Sequence, residues 1–194
     1  IELLDEALYT LKLGNPSLLA TDIGPIIDSD AKKVLQTYLD KKIAAGRVYA
    51  KAKLPDECAS SFIAPHIIGV ESILDIDQEY FGPILHVARF SFEQVDSVID
   101  DINQCGYGLT FGIHSRNQTF INRVCEQVAV GNIYINRNIT GAVVGVQPFG
   151  GQGLSGTGFK AGGPHYLMRF ATEVSISNNT AAIGGNTQLL TGGK

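Results

Sequence analysis

Residues 145–164 read GVQPFGGQGLSGTGFKAGGP. Within them Gly151, Gly153 and Gly156 spell G-x-G-x-x-G, the spacing of a dinucleotide-binding turn. Such a turn follows a strand and opens a helix, because the helix N-terminus carries the pyrophosphate. The apolar run Ala142–Val146 can serve as the strand. Residues 157–164 cannot serve as the helix: they hold three glycines and a proline, each costly in a helix. Glu173 lies at about the right distance for the ribose-binding acid. It falls inside the alternating run RFATEVSIS (169–177), however, and not at the end of a second βαβ strand. The stretch therefore predicts a shaped loop whose glycines permit positive φ and close backbone approach, and not a phosphate cradle.

Upstream of this loop the pattern is regular. PILHVARF (83–90) predicts a strand. SFEQVDSVIDDIN (91–103) predicts a helix, with Ser91 and Gln94 at capping-box spacing and Val95, Val98, Ile99 and Ile102 on one face. LTFGIHS (109–115) is a second strand. NQTFINRVCEQVAV (117–130) is a second helix, with Phe120, Ile121, Val124, Cys125 and Val128 inward, and GNIYIN (131–136) a third strand. Strand–helix–strand–helix–strand with short joints predicts parallel strands and right-handed crossovers, the α/β class.

Nearer the start, IELLDEALYTLKL (1–13) predicts an amphipathic helix that stops at Gly14-Asn15-Pro16. No N-cap precedes it and the first residue is not Met, so the chain reads as a fragment of a longer protein. Asp28 or Ser29 caps a further helix with Ala31, Val34, Leu35, Tyr38, Leu39 and Ile43 inward, closed by Gly46. Residues 50–60 read as a polar loop. SFIAPHII (61–68) reads as a strand, in which Pro65 predicts an edge or a bulge. A brief helical piece near 164–169 precedes the alternating run, which predicts a last strand with Phe170, Thr172, Val174 and Ile176 on one face. The polar, glycine-rich tail from Asn178 reads as a loose terminus.

Composition narrows the function classes. The chain has 194 residues, 44% of them hydrophobic, and a net charge of -4 with no basic stripe, which argues against nucleic acid. No apolar run approaches transmembrane length, and no signal-peptide pattern is present. Peripheral membrane association is not legible in this segment. Three widely spaced cysteines, without C-x-x-C, fit a reducing, cytoplasmic setting. The four histidines form no ligand set, which predicts no metal site.

Two stretches together are more specific than either alone. EYFGPILHV (79–87) resembles the E-x-F-G-P signature of the aldehyde dehydrogenase superfamily, and QPFGGQGLSGTG (147–158) resembles its P-F-G-G-x-x-x-S-G loop. Residues 130–170 and the tail NNTAAIGGNTQLL (178–190) are similar to the aldehyde dehydrogenase part of the bifunctional proline utilisation A flavoproteins. The resemblance implies the C-terminal portion of an aldehyde dehydrogenase catalytic domain (1–169), an oligomerisation-flap strand (170–177) and a C-terminal tail (178–194). It implies oxidation of L-glutamate γ-semialdehyde, formed from 1-pyrroline-5-carboxylate, to glutamate, with NAD as cofactor. FAD is implied only for a proline dehydrogenase domain elsewhere in the full-length protein.

In that family a cysteine thiolate attacks the aldehyde, hydride leaves to NAD, and a glutamate-activated water hydrolyses the thioester. By resemblance the nucleophile lies before Ile1 and the general base further upstream, so the 194 residues alone are expected to be inactive. Cys58, Cys105 and Cys125 are read as inert, Cys125 as a buried thiol on a helix face. Glu79 is implied to accept hydrogen bonds from the nicotinamide-ribose hydroxyls, a role that suits paired carboxylate acceptors. The bland reading is a solvated glutamate beside Asp75 and Asp77. Phe81 either packs near the nicotinamide or is an ordinary core aromatic. The amides of Gly141 and Ala142 are implied to bind the substrate's α-carboxylate, where small side chains leave the backbone accessible. Phe149 is implied to line the aldehyde pocket. Arg137, Lys160 and Arg169 receive no role. The flap strand implies a homodimer or larger, with pairing inside the chain as the alternative. Two rival readings stand beside this one: an aldehyde dehydrogenase of other specificity, and a non-catalytic module that keeps the fold.

Overall fold

The computed structural model of the chain describes residues 1–143, 145–156, 158–179 and 192. Helix α1 spans Glu2–Thr10, ending three residues before its apolar pattern predicts, and Leu11 already has extended backbone. Its one buried side chain is Leu8. Helix α2, Ser29–Ala44, is capped by Asp28, whose carboxylate accepts from the Ala31 amide at 2.7 Å. Leu35, Tyr38 and Leu39 turn inward, whereas Val34 and Ile43 are half exposed. The buried stripe is thus narrower than the run of apolar letters.

Strand β1 (Val48–Lys51) takes in the first two residues of the stretch that reads as a loop. It pairs antiparallel with β2 (His66–Gly69), with an irregularity between Val48 and Ala50. Strand β3 (Ile84–Val87) pairs with β2 on the other side, in parallel. Strand β2 is therefore central and wholly buried, not an edge. Pro65 escapes the usual penalty because it precedes the strand, and its carbonyl accepts from the Ala52 amide at 2.9 Å. Leu35, Tyr38 and Leu39 pack on Ile63, Ile68 and Val70 to form the core of this half. Full burial of each such aliphatic side chain contributes about 1.5–3 kcal/mol.

A single 3-10 turn (Phe92–Gln94), closed by the Ser91–Gln94 capping box, leads into helix α3, Val95–Gln104. Two-residue strand β4 (Tyr107–Gly108) is followed by β5 (Thr110–Ile113), helix α4 (Gln118–Gln127) and strand β6 (Asn132–Ile135). Asn117 caps α4 by accepting from the Phe120 amide at 3.1 Å. Strands β5 and β6 are parallel, so β5–α4–β6 is the expected βαβ unit. Val95 and Ile99 of α3 meet Ile121 and Val124 of α4 over Ile113.

One expectation needs correcting. Strands β3 and β5 do not hydrogen-bond to each other, so the predicted run of parallel strands is divided between two sheets. Hydrophobic rhythm sets strand type but carries no information about which strand lies beside which. The last predicted strand finds no partner among the described residues. Phe170 ends a 3-10 helix (Tyr166–Phe170), and residues 171–179 form no ladder among the described residues. Phe170, Val174 and Ile176 are exposed. A strand needs a hydrogen-bonding neighbour, and alternation alone does not supply one. The tail residues 180–191, 193 and 194 lie outside the described residues.

Candidate active site

The glycine-rich loop opens no helix, as its composition predicts. Strand β7 (Gln152–Gly153) pairs antiparallel with β4, and Phe149 bridges Ala161 through two backbone hydrogen bonds of 3.0 and 3.1 Å. The loop is also tied to the end of β6. Buried Asn132 donates from Nδ2 to the carbonyls of Leu109 and Gly150 at 2.9 and 3.0 Å. The Lys160 ammonium donates to the Gly131 carbonyl. Ser155 Oγ accepts from the Gly108 amide at 3.2 Å. Gly131 is required here by contact: a Cβ would stand 1.9 Å from the Gly150 oxygen. Lys160 and Asn132 are thus structural ties. Sequence reasoning left both without a role, because their partners are backbone carbonyls 18 to 29 positions away.

Phe149 is partly buried in a cleft of about 240 Å³ shared with Phe159, Tyr166 and Ser155. Gly141 has φ +42° and is exposed, a conformation that favours glycine. Its carbonyl accepts from the Tyr134 hydroxyl at 3.0 Å, and the Arg137 guanidinium lies 4.7 Å from the same ring's centre. The amides of Gly141 and Ala142 have no hydrogen-bond partner among the described residues. Two open amides in sequence can receive an anion. The Phe149 cleft does not include Gly141 or Ala142, so the structure does not gather the three into one cavity.

Glu79 lines a separate cleft of about 770 Å³ with Tyr107, Leu109, Phe111, Leu154 and Ser155. Ser155 is a wall of both clefts. Glu79 is exposed and makes no hydrogen bond or ion pair among the described residues. Its oxygens are therefore available to a diol, which fits the ribose of NAD. Phe81 is 87% exposed, so it takes no part in a core formed by the described residues. The motif is seated from below. Gly82 passes so close to α2 that a Cβ would meet Leu35 Cδ1 at 2.6 Å, and the Pro83 carbonyl accepts from the His66 amide at 3.0 Å.

Beside Glu79 lies a cluster that the sequence did not announce. The Tyr80 ring stacks on Tyr38 with centroids 3.7 Å apart. The Tyr38 hydroxyl and His86 Nε2 are hydrogen-bonded at 2.7 Å. Burial, reinforced by Tyr80, Asp77 and Asp75, pushes the Tyr38 phenol up to about 12, so it stays neutral. Burial holds His86 below the ordinary histidine value, with Lys42 acting in the same direction. The Tyr80 hydroxyl donates to Asp77 at 2.7 Å and holds that carboxyl below the usual range.

The buried thiol is Cys58 and not, as expected, Cys125, which is only partly covered because its helix face lies at the margin of the cluster. Cys58 is buried, Cys125 packs against the Ile121–Val124 cluster, and the Cys105 thiol faces the Ile102 carbonyl at 2.9 Å.

A mixed α/β frame with parallel strands, an E-x-F-G-P segment seated on its central strand and a pinned P-F-G-G loop define the class. The chain belongs to the aldehyde dehydrogenase family, which it matches over residues 1–176. It is 44% identical over 176 residues to the bifunctional protein PutA of Rhizobium meliloti, covering 90% of this chain and 14% of that protein. It is 37% identical over 174 residues to the 1-pyrroline-5-carboxylate dehydrogenase of Geobacillus sp. (strain WCH70), covering 86% of this chain and 32% of that one. Among solved structures, a mutant form of Bradyrhizobium japonicum proline utilization A superposes with a TM-score of 0.83 at 49% identity, over 93% of this chain and 18% of that one. The 1-pyrroline-5-carboxylate dehydrogenase from Thermus with bound NAD gives a TM-score of 0.73 at 34% identity, over 85% of this chain and 32% of that one. The chain thus spans well under two thirds of these relatives.

Proposed function

We propose that the chain is the C-terminal part of the catalytic domain of an NAD-dependent dehydrogenase that oxidises L-glutamate γ-semialdehyde to L-glutamate in proline catabolism. The observation that carries the substrate reading is the pair of open amides at Gly141 and Ala142. They suit an α-carboxylate, which an ordinary aliphatic aldehyde lacks. The similarity to 1-pyrroline-5-carboxylate dehydrogenases supports the same choice.

In this reading Glu79 receives the nicotinamide ribose, Phe81 covers the nicotinamide, and Phe149 lines the aliphatic stretch of the substrate. NAD supplies the hydride acceptor. The cysteine nucleophile and general base are assigned to the part of the enzyme upstream of residue 1, and the burial of Cys58 and the packing of Cys125 on the α3–α4 cluster support this. The 194-residue chain alone is then inactive. Residues 170–177 pair with a second copy, the setting is the cytoplasm, and any FAD belongs to a separate proline dehydrogenase domain.

The test is a substrate panel on the intact enzyme that carries this chain. Glutamate γ-semialdehyde is compared with pentanal, which has no α-carboxylate. A clear preference for the semialdehyde is expected, and Ala142→Leu should raise its KM by about ten-fold or more, because a bulky side chain screens the amides. Equal kcat/KM for the two aldehydes, unchanged by Ala142→Leu, refutes the assignment.

A further inference from the structure

Glu79 lies in a stretch with little regular structure. Between the 3-10 turn Ile73–Asp75 and strand β3 there is no helix or strand to hold it. A carboxylate that must meet two adjacent hydroxyls needs a fixed backbone, since a small rotation near it displaces both oxygens.

The stretch is anchored at both ends. At the upstream end the Asp75 carboxylate accepts from the amides of Glu71 and Ser72 at 2.8 and 3.2 Å. Ser72 Oγ in turn donates to Asp101 of α3 at 2.5 Å. At the downstream end the anchor is the residue next to Glu79. The Tyr80 ring lies on Tyr38 at 3.7 Å with 25° between planes. Tyr38 is 5% exposed and is tied by its hydroxyl to His86 of β3. The Tyr80 hydroxyl closes a local loop onto Asp77. One end of the segment is thus fastened to α3 and the other to α2 and β3, with Glu79 exposed on the cleft wall between them.

We propose that Tyr80, held by the Tyr38–His86 pair, is a positioning residue that presents Glu79 to the ribose diol of the dinucleotide. This rests on the reading of Glu79 as a cofactor contact. The ring fixes the backbone one residue from the carboxylate before the cofactor arrives. Without it, ordering the segment opposes binding and weakens cofactor affinity, while the aldehyde-side loop, pinned by Asn132 and Lys160, is untouched.

The experiment uses the intact enzyme and three variants: Tyr80→Leu, Tyr80→Phe and Glu79→Gln. Tyr80→Leu should raise the KM for NAD about five-fold, and leave the semialdehyde KM at saturating NAD within about two-fold. Tyr80→Phe keeps the ring and should restore the NAD KM. Glu79→Gln should raise the NAD KM by itself. A general loss of structure would lower the melting temperature or move both KM values together, and would show no rescue by the phenyl ring. A folded Tyr80→Leu enzyme with an unchanged NAD KM, beside a raised value in Glu79→Gln, overturns the positioning role alone. So does an equal increase in Tyr80→Leu and Tyr80→Phe. An unchanged NAD KM in Glu79→Gln overturns the underlying cofactor reading instead. Should Tyr80→Leu fail to fold, Tyr38→Phe decides: it keeps both rings and removes the hydroxyl that His86 holds. A raised NAD KM supports the proposal, and an unchanged one overturns it.

Discussion

Gly131→Ala isolates the contact that fastens the glycine-rich loop to the end of β6. The backbone at Gly131 does not have a positive φ, so alanine brings no conformational strain there. Its effect comes from the methyl group, which would sit 1.9 Å from the Gly150 oxygen, 2.7 Å from Gly151 Cα and 2.8 Å from the Gly150 carbonyl carbon. Even to reach 3.0 Å, the Gly150 oxygen must retreat by about 1.1 Å, and all three neighbours are backbone atoms that have no rotamer to adopt. That movement stretches the 3.0 Å bond from Asn132 Nδ2 to Gly150. Asn132 keeps its bond to the Leu109 carbonyl, so the lost bond costs about 1 kcal/mol, not the full penalty of an orphaned amide. Overpacking adds about 1–3 kcal/mol, for a total of about 2–4 kcal/mol. Phe149 adjoins Gly150, so the displacement also reaches the cleft proposed to take the aldehyde. Gly24→Ala is the matched control, because its Cβ would have only an ordinary 3.5 Å contact with Pro16. Urea-induced unfolding and semialdehyde KM of the intact enzyme are the assays. A lower midpoint and a raised KM are expected for Gly131→Ala and neither for Gly24→Ala. Matching behaviour of the two variants would show that the pinned loop is not what the geometry indicates.

Histidine burial gives the enzyme a pH dependence. His66 is held below its ordinary value by burial, with a smaller contribution from Lys51, although the bond to the Ala64 carbonyl at 2.6 Å opposes the shift. His86 is lowered for the same first reason. The unfolded chain therefore binds more protons than the folded one below about pH 6.5, and stability falls as pH drops through that value, by at most about 1.4 kcal/mol per unit for each group. The melting temperature should fall between about pH 7.5 and pH 5.5, and His66→Asn, whose amide can replace the Nδ1 donor, should flatten the slope; an unchanged slope rules out the His66 contribution. Light scattering on the intact enzyme should give a dimer or larger species, and monomer alone would remove the proposed pairing of residues 170–177.

Local signals proved legible where local forces decide. The caps at Asp28 and Ser91, and the inward faces of α3 and α4, follow from chain chemistry within a few residues. The loop reading of residues 145–164 held because glycine and proline act on the backbone directly. Neighbour relations were not legible. The division into two sheets, the placement of β1 and the central position of β2 depend on which segments meet, and period-2 hydrophobicity is silent on that. Half-exposed Val34 and Ile43 show the same limit from the other side, since an apolar letter does not say whether a neighbour covers it. At the candidate site, Glu79 and Phe81 stood out only through a motif. The Tyr38–Tyr80–His86 cluster joins three elements across 48 residues and has no short-range signature.

The ties on the glycine-rich loop have a bearing on how such a pocket can be redesigned. Gly150, Ser155 and Ala161 are fastened to the Asn132 side chain, the Gly108 amide and the Phe149 backbone respectively, so the intervals between them are set like the holes of a jig. Inserting or deleting a residue between those positions would break at least one fastening. New aldehyde specificity is therefore more readily obtained by exchanging side chains at constant spacing, Phe149 first among them, than by grafting a loop of another length.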